Sequence, residues 1–150
     1  KHTNHNPQPA SHKPIATSMP ERQKTILIIE DDESLLEAIE HECISRGFRA
    51  LRARSVIEGL SILESIFPIH VVWLDHYLIG KTNGLDFVAQ VKNRDAWKQI
   101  PIFVVSNNEG IDSIQSYMHL GVNQYYTKAD YDLKQIILDI EDTLSKPATP

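Results

Sequence analysis

The sequence predicts an α/β fold in which a doubly wound parallel sheet is covered by helices on both faces. Two observations support this prediction. From residue 24 onward, short apolar runs alternate five times with segments of helical periodicity. The strongest apolar runs also end on a polar residue, which is typical of buried parallel strands at the carboxyl edge of a sheet. The length of 150 residues is sufficient for one domain with a sizeable core.

The first two strand–helix units lie between residues 26 and 66. Residues 26–29 form the first predicted strand and residues 33–46 the first helix, which Gly47 ends. Residues 48–53 predict a weaker strand nearer a sheet edge, and Ser55 can cap the second helix. The apolar stripes are Leu35, Leu36, Ile39 and Cys43 in the first helix, and Val56, Leu60, Leu63 and Ile66 in the second.

The remaining three units follow the same pattern. Strands are predicted at residues 71–74, 102–105 and 122–127. The third helix opens at Gly84, the fourth ends at Gly121 and the fifth ends before Pro147. The residues expected to face the core are Leu85, Val88 and Ala89, then Ile111, Ile114 and Met118, then Leu133, Ile136, Ile137, Ile140 and Leu144.

The bulk properties argue against several classes of function. The net charge of −5 gives no support for nucleic-acid binding through a basic face. No apolar run approaches the roughly 18 residues that a membrane span needs. A single cysteine is compatible with the reducing cytoplasm, where we expect the protein. Residues 1–23 are rich in proline and poor in apolar side chains, so we expect tails at 1–23 and 147–150 and a domain at 24–146.

Polar side chains close four of the predicted strands. Acidic residues follow or end the first and third strands, a residue with a hydroxyl group follows the fourth, and a lysine follows the fifth. The first and third strands are neighbours in a doubly wound sheet, so their carboxylates repel unless a cation neutralises them, and Mg²⁺ suits such a site. An aspartate there can attack phosphorus as a nucleophile. The residues are Glu30, Asp31, Asp32, Asp75, Ser106 and Lys128.

Each of these side chains also has a structural explanation when taken alone. A strand-end aspartate or serine commonly bonds nearby backbone, and most lysines are solvated. The combination on separate strand ends favours phosphoryl chemistry on Asp75 over these explanations. No GxxxxGK[ST] loop occurs, so ATP binding by a Walker motif is unsupported.

From about Lys24 to Ser145 the chain resembles the receiver domain of bacterial response regulators, the output half of two-component signalling. The segments ILIIEDDESL, VVWLD, IFVVSNNEG and YYTK carry the resemblance, together with their spacing. It implies a flavodoxin-like, chemotaxis-Y-like (βα)5 fold with strand order 2-1-3-4-5. It also implies a phosphoprotein of a phosphorelay, which receives a phosphoryl group from a histidine kinase or a histidine phosphotransfer protein.

The resemblance further implies which residues receive the phosphoryl group and hold the metal. Asp75 becomes the phosphoacceptor, and its acyl phosphate forms beside a bound Mg²⁺. Glu30 and Asp31 become the acidic pair that binds this metal together with Asp75, and the backbone carbonyl of Tyr77 becomes a further ligand. Asp32 is a third acid nearby, so the choice of the two metal-binding acids stays open.

The resemblance also implies a switch. Ser106 becomes the hydroxyl that moves to the phosphoryl group, and Lys128 becomes its counter-charge. Tyr125 matches the aromatic residue that swings inward when that hydroxyl moves. The switched surface is expected on the fourth helix, fifth strand and fifth helix, where Tyr117 and His119 lie, and it would bind a downstream protein or a second copy of the domain.

Several positions depart from the family pattern. Ala129 follows the switch lysine where the family usually has proline, and Asn107 follows the switch hydroxyl where it has alanine or glycine. Tyr77 and Asn108 occupy positions that tune hydrolysis of the acyl phosphate in this family. We expect Asn107 to narrow access to Asp75 and Tyr77 to shield it, so that phosphorylation and its loss are both slow.

Three functions stay open at this stage. The favoured one is a phosphorylatable receiver, which promotes its own Mg²⁺-dependent phosphorylation and dephosphorylation without being a turnover enzyme. The second is an atypical receiver that binds a protein without phosphorylation, which Asn107 and Ala129 keep open. The third is an enzyme with an aspartyl nucleophile, such as a phosphohydrolase, but no segment is long enough for the cap insertion that such enzymes usually need.

Overall fold

The computed structural model describes residues 22–76, 83–107 and 110–147, in which strands and helices alternate. The strands are β1 (Thr25–Ile29), β2 (Arg49–Ala53), β3 (Val71–Asp75), β4 (Ile102–Ser106) and β5 (Gln124–Thr127). The helices are α1 (Glu33–Ser45), α2 (Val56–Ser65), α3 (Gly84–Lys92), α4 (Ile111–Leu120) and α5 (Leu133–Ser145).

The five strands form one parallel sheet in the order β2-β1-β3-β4-β5, which confirms the predicted topology. Every residue of β1, β3 and β4 is buried, as expected of central parallel strands, whereas edge strand β2 is partly exposed. Helices α1 and α5 pack on one face of the sheet, and α2, α3 and α4 pack on the other. Because all five strands are parallel, their carboxyl ends lie at the same edge of the sheet.

Side-chain caps set where several helices begin. The side chains of Asp32, Ser55, Asn83 and Asp132 each accept a hydrogen bond from a backbone N–H in the first turn of α1, α2, α3 and α5. Helix α4 ends at Gly121, whose φ of 92° lies in the left-handed region that glycine adopts without strain. These ends agree with the predicted ones to within one or two residues.

The predicted apolar stripe of α4 is wrong in two of its three residues. Ile111 and Met118 are 70% and 49% exposed, and Ile114 is half-buried. The fully buried residue of α4 is Tyr117. A tyrosine can replace an aliphatic side chain at such a position because its ring packs while its hydroxyl finds a polar partner. The buried face of α4 is therefore rotated relative to the isoleucine–methionine stripe.

The predicted stripe of α3 is also rotated. Val88 is buried as expected, but Leu85 and Ala89 are only half-buried. Phe87 and Val91 lie fully buried instead, in the layer that α2, α3 and α4 form on the sheet. The larger phenyl ring gains more from burial than the alanine does, which favours this rotation.

Tyr117 reaches from α4 across the start of α3. Its hydroxyl is hydrogen-bonded to Nδ1 of His76 (2.6 Å), the residue directly after β3. Its ring lies against Tyr125 of β5, with ring centroids 5.7 Å apart. A Cβ atom on Gly84 would overlap the Tyr117 hydroxyl and stand 3.3 Å from the backbone oxygen of Asp75. Glycine at position 84 therefore leaves the space that the Tyr117 hydroxyl occupies.

We predict that Gly84→Ala lowers the free energy of unfolding by about 2 kcal/mol, because the added methyl group must displace Tyr117. Tyr117→Phe removes the overlapping oxygen, so it should cost less in the Gly84→Ala background than in the wild type. Urea denaturation of the two single variants and the double variant measures this difference.

Gly121→Ala provides a matched control for the glycine change. It should also destabilise the protein, but through backbone strain at positive φ rather than through overlap with Tyr117. Its effect should therefore add to that of Tyr117→Phe. If the effect of Tyr117→Phe added fully to that of Gly84→Ala as well, the predicted overlap between a Cβ atom at position 84 and the Tyr117 hydroxyl would be contradicted.

Candidate functional site

The strand register brings acidic residues together at the carboxyl edge of the sheet. Ile29 of β1 pairs with Leu74 of β3, so the next residues, Glu30 and Asp75, stand side by side. Side chains alternate between the two faces of a strand, which places both acids on the face covered by α1 and α5. The packing of the apolar strands thus determines that two carboxylates become neighbours.

Three carboxylates form a cluster at this edge. Glu30, Asp31 and Asp75 each offer a carboxylate oxygen, and these oxygens all lie within 4.8 Å of one another. Glu30 and Asp75 are only 1% and 3% exposed, whereas Asp31 is half-buried. Among the described residues this is the group of acids, histidines and cysteines close enough together to hold a metal ion.

Lys128 places its ammonium group between the two buried acids. Its Nζ lies 3.3 Å from Oε2 of Glu30 and 3.6 Å from Oδ1 of Asp75. The backbone N–H of Lys128 donates to the carbonyl oxygen of Ser106 (2.8 Å), which joins the lysine to the end of β4. One ammonium therefore faces a cluster that carries three negative charges when fully ionised.

The surroundings of Glu30 have opposing effects on its ionisation. Burial raises the pKa of the Glu30 carboxyl above its ordinary value, and the charge of Asp31 acts in the same direction. The Lys128 ammonium and a hydrogen bond donated by the backbone N–H of Asp32 lower it, but burial prevails. A cation at this position would favour the ionised form of Glu30.

Asp32, which the sequence left open as a metal ligand, has a different position. Its exposed carboxylate accepts a hydrogen bond from the backbone N–H of Leu35 (3.0 Å) and caps α1. It does not belong to the cluster of Glu30, Asp31 and Asp75. The adjacent acids Asp31 and Asp32 therefore differ in role because only the second stands at the helix N-cap.

The other predicted site residues that the structure describes lie in or just after β4 and β5. Ser106 ends β4, is fully buried and pairs with Thr127 of β5, the residue before Lys128. Tyr125 is half-buried, and Asn107 and Ala129 are exposed. Tyr77 and Asn108 lie outside the described residues.

Two residues near the site, Arg54 and His76, were not identified from the sequence as parts of it, and Tyr117 was placed only on the expected switched surface. Arg54, after β2, donates from Nη2 to the backbone oxygen of Asp31 (3.1 Å). The half-buried His76 and the fully buried Tyr117 form the hydrogen-bonded pair described above, and burial raises the pKa of the Tyr117 hydroxyl, with Tyr125 and Asp75 adding to the effect. The sequence places His76 next to Asp75, but its partner is 41 residues away and no local pattern indicates it.

The cluster combines the groups that phosphoryl transfer requires. Buried carboxylate oxygens are hard ligands suited to Mg²⁺, an aspartate can act as the nucleophile, and an ammonium can stabilise phosphoryl oxygens.

None of the described helices has the length and apolar character that a membrane-spanning segment needs.

Comparisons with known proteins agree on one family. A family model described as "Response regulator receiver domain" matches residues 26–141. Chemotaxis protein CheY1 of Helicobacter pylori is 29% identical over 104 residues, which cover 68% of this chain and 83% of that protein. An NtrX-like response regulator of Rickettsia conorii is 28% identical over 117 residues, which cover 77% of this chain and only 24% of that protein.

A solved structure shows the same fold. The crystal structure of the phosphorylated cyanobacterial phytochrome response regulator RcpA is similar with a TM-score of 0.71 and 25% sequence identity. The similarity covers 85% of this chain and 97% of that one. The chain thus corresponds to nearly all of this structure but to about a quarter of the length of the NtrX-like relative.

We predict that Lys128→Met destabilises the protein by about 2 kcal/mol at pH 7, because Glu30 and Asp75 then remain buried without their counter-charge. Folding raises the pKa of Glu30, so protonation of Glu30 stabilises the folded protein. This stabilisation is fully present below the ordinary pKa of 4.5 and is lost as the pH rises through the raised pKa. The loss caused by Lys128→Met should therefore be larger at pH 7 than at pH 4, as measured by urea denaturation at both pH values.

Lys98→Met is the matched control for this change. Lys98 pairs with Asp95 at 2.9 Å on the surface, where both side chains are largely exposed and such a pair contributes little. We expect nearly wild-type stability for this variant. Equal losses for Lys128→Met at the two pH values would contradict the proposed charge balance.

Proposed function

The chain belongs to the response regulator receiver domains of two-component signalling, and on this basis we propose that it accepts a phosphoryl group on Asp75 with Mg²⁺ bound beside it. The observation that carries the proposal is the cluster of Glu30, Asp31 and Asp75, with the Lys128 ammonium 3.6 Å from the proposed nucleophile. The similar structure of RcpA is that of a phosphorylated response regulator, which supports the same chemistry here.

The acidic cluster fits a divalent metal ion. Glu30, Asp31 and Asp75 would hold Mg²⁺ through carboxylate oxygens, which are the ligands that this ion prefers, with the remaining positions left to water and phosphoryl oxygens. When bound, the ion would neutralise charge on the carboxylates and on the phosphoryl group. Burial of Glu30 and Asp75 strengthens the attraction because water screens these charges poorly.

In the proposed transfer, an Asp75 carboxylate oxygen attacks the phosphorus of a phosphohistidine. A P–O bond forms and the P–N bond to the imidazole breaks, and its electron pair leaves with the imidazole nitrogen of the donor. Lys128 stabilises the phosphoryl oxygens, which carry negative charge throughout the transfer. The donor is a histidine kinase or a histidine phosphotransfer protein. Hydrolysis of the acyl phosphate regenerates the free Asp75 carboxylate, so the domain does not turn over a separate substrate.

We propose that the new phosphoryl group is read by Ser106 and Tyr125 and that the output face consists of α4, β5 and α5. The exposed apolar side chains of α4 and α5 support this face, because apolar groups on a surface favour partner binding. A downstream protein or a second copy of the domain would bind there, in the cytoplasm. The exposed residues are Ile111, Met118 and Leu138.

A binding module that works without phosphorylation is the less favoured alternative. Such a module would have no need for three clustered carboxylates, two of them almost fully buried and balanced by one ammonium. Burying charged groups in this arrangement costs stability, which is the expected cost of a functional site.

The proposal predicts that acetyl phosphate with Mg²⁺ adds one phosphoryl group, about 80 Da by mass spectrometry of the intact protein. Asp75→Asn should abolish the addition because an amide cannot form the acyl phosphate, and removing Mg²⁺ with a chelator should do the same. Asp32→Asn is the matched control, since Asp32 caps α1 outside the cluster and should leave labelling intact.

Labelling of Asp75→Asn at the wild-type level would contradict the assignment of the phosphoacceptor. Loss of labelling in Asp32→Asn, with its helix content retained in circular dichroism, would contradict the exclusion of Asp32 from the metal site.

We further predict that Asn107→Ala accelerates labelling by acetyl phosphate several-fold, because a smaller side chain directly after the switch hydroxyl Ser106 should open the approach to Asp75. The loss of the label should also be faster. Time courses of the labelled mass measure both rates. Asn123→Ala serves as a comparison, because Asn123 directly precedes β5 at the sheet edge opposite to Asp75. Unchanged rates in Asn107→Ala would show that this residue does not limit access.

A further inference from the structure

We propose that Tyr117 is a positioning residue that holds Tyr125 in the arrangement seen here and thereby opposes the switch. The inference rests on the proposed function, because it concerns how phosphorylation of Asp75 reaches α4 and β5. It adds a second connection between the phosphoacceptor and Tyr125, by a different route from the one through Ser106. This connection runs from β3 through His76 and Tyr117 to Tyr125.

Three contacts define this connection. The Tyr117 hydroxyl is bonded to Nδ1 of His76, the residue after Asp75, at 2.6 Å. The two rings also meet edge to face, with centroids 5.4 Å apart and planes at 83°. On its other side, the Tyr117 ring lies 5.7 Å from the ring of Tyr125.

The surroundings of Tyr117 leave it little room to move alone. Its side chain is fully buried, and its hydroxyl fills the space above the Cα atom of Gly84 at the start of α3. Because protein interiors are closely packed, a half-buried Tyr125 ring that swings inward has to displace the buried Tyr117 ring that lies against it. Moving Tyr117 stretches or breaks its bond to His76.

Breaking this bond has an energetic cost, since a buried hydroxyl that loses its partner is not compensated by water. The hydrogen bond therefore favours the arrangement of Tyr125 seen here over one in which the Tyr125 ring has swung inward and displaced Tyr117. A ligand that requires the moved arrangement binds with an affinity reduced by the fraction of molecules in that arrangement. Weakening the bond should make the switch easier.

Tyr126 is a buried tyrosine whose hydrogen bond lies outside the connection from His76 through Tyr117 to Tyr125. It neighbours Tyr125 in the sequence and is also a buried tyrosine, and its hydroxyl donates to Oδ2 of Asp139 in α5 at 2.7 Å. Its ring lies on the opposite face of the sheet, stacked on Phe103. Its hydrogen bond therefore stabilises the fold without contacting the proposed connection.

The test is a titration of beryllofluoride, which mimics the phosphoryl group on aspartate, into the full chain with saturating Mg²⁺. The backbone amide signals of α4 and β5 in ¹⁵N NMR spectra report the switch. We expect Tyr117→Phe to lower the beryllofluoride concentration at half-saturation about fivefold, because the bond to His76 no longer opposes the moved arrangement.

His76→Leu removes the other partner and should have a similar effect. The double variant should go little further than either single variant, because both substitutions remove the same bond. Tyr126→Phe is the matched control: it also loses a buried tyrosine hydrogen bond, but its half-saturation should equal that of the wild type.

The outcomes separate this inference from the proposed function. A wild type whose spectrum does not respond to beryllofluoride would overturn both. A responsive wild type with an unchanged midpoint in Tyr117→Phe would overturn the inference and leave the proposed function intact. Additive effects of Tyr117→Phe and His76→Leu, or an equal shift in Tyr126→Phe, would also overturn it, because they would indicate a general loss of packing.

Discussion

The crowding of charge at the end of β1 and β3 is the constraint on which the rest of the site depends. Every residue of these two strands is buried, and their apolar contacts set a register in which Glu30 stands beside Asp75. A slip of one residue would draw a carboxylate into the apolar layers, so the two acids cannot separate without a large loss of packing. The Lys128 ammonium offsets part of their repulsion, and the remaining negative charge makes the site attractive to a cation.

The sequence was sufficient to predict the elements and much of this site, for identifiable reasons. Fully apolar runs indicate central parallel strands, and capping residues such as Ser55 and Gly121 mark helix ends by local chemistry. Because parallel strands end at one edge, the residues that follow them had to lie close together. The sequence could not distinguish Asp31 from Asp32, since that distinction depends on which of two adjacent acids caps α1.

The faces of α3 and α4 could not be predicted because they depend on contacts between distant segments. Tyr117 is buried in preference to Ile111 and Met118 because its hydroxyl meets His76, a residue from another element. No hydrophobic periodicity records such a partner. A tyrosine in line with the half-buried Ile114 and Leu120 offered an alternative stripe, but the aliphatic stripe was equally regular.

The number of buried residues in each helix connects stability with the proposed output. Helix α3 buries four residues and α1 and α5 bury three each, whereas α4 buries Tyr117 alone. An element with few buried contacts can shift at a small cost in free energy, and α4 is therefore the helix best suited to respond to a signal. Its single fully buried side chain is bonded to the residue that follows the proposed phosphoacceptor. The helix with the fewest buried residues is thus anchored beside the residue on which phosphorylation is proposed.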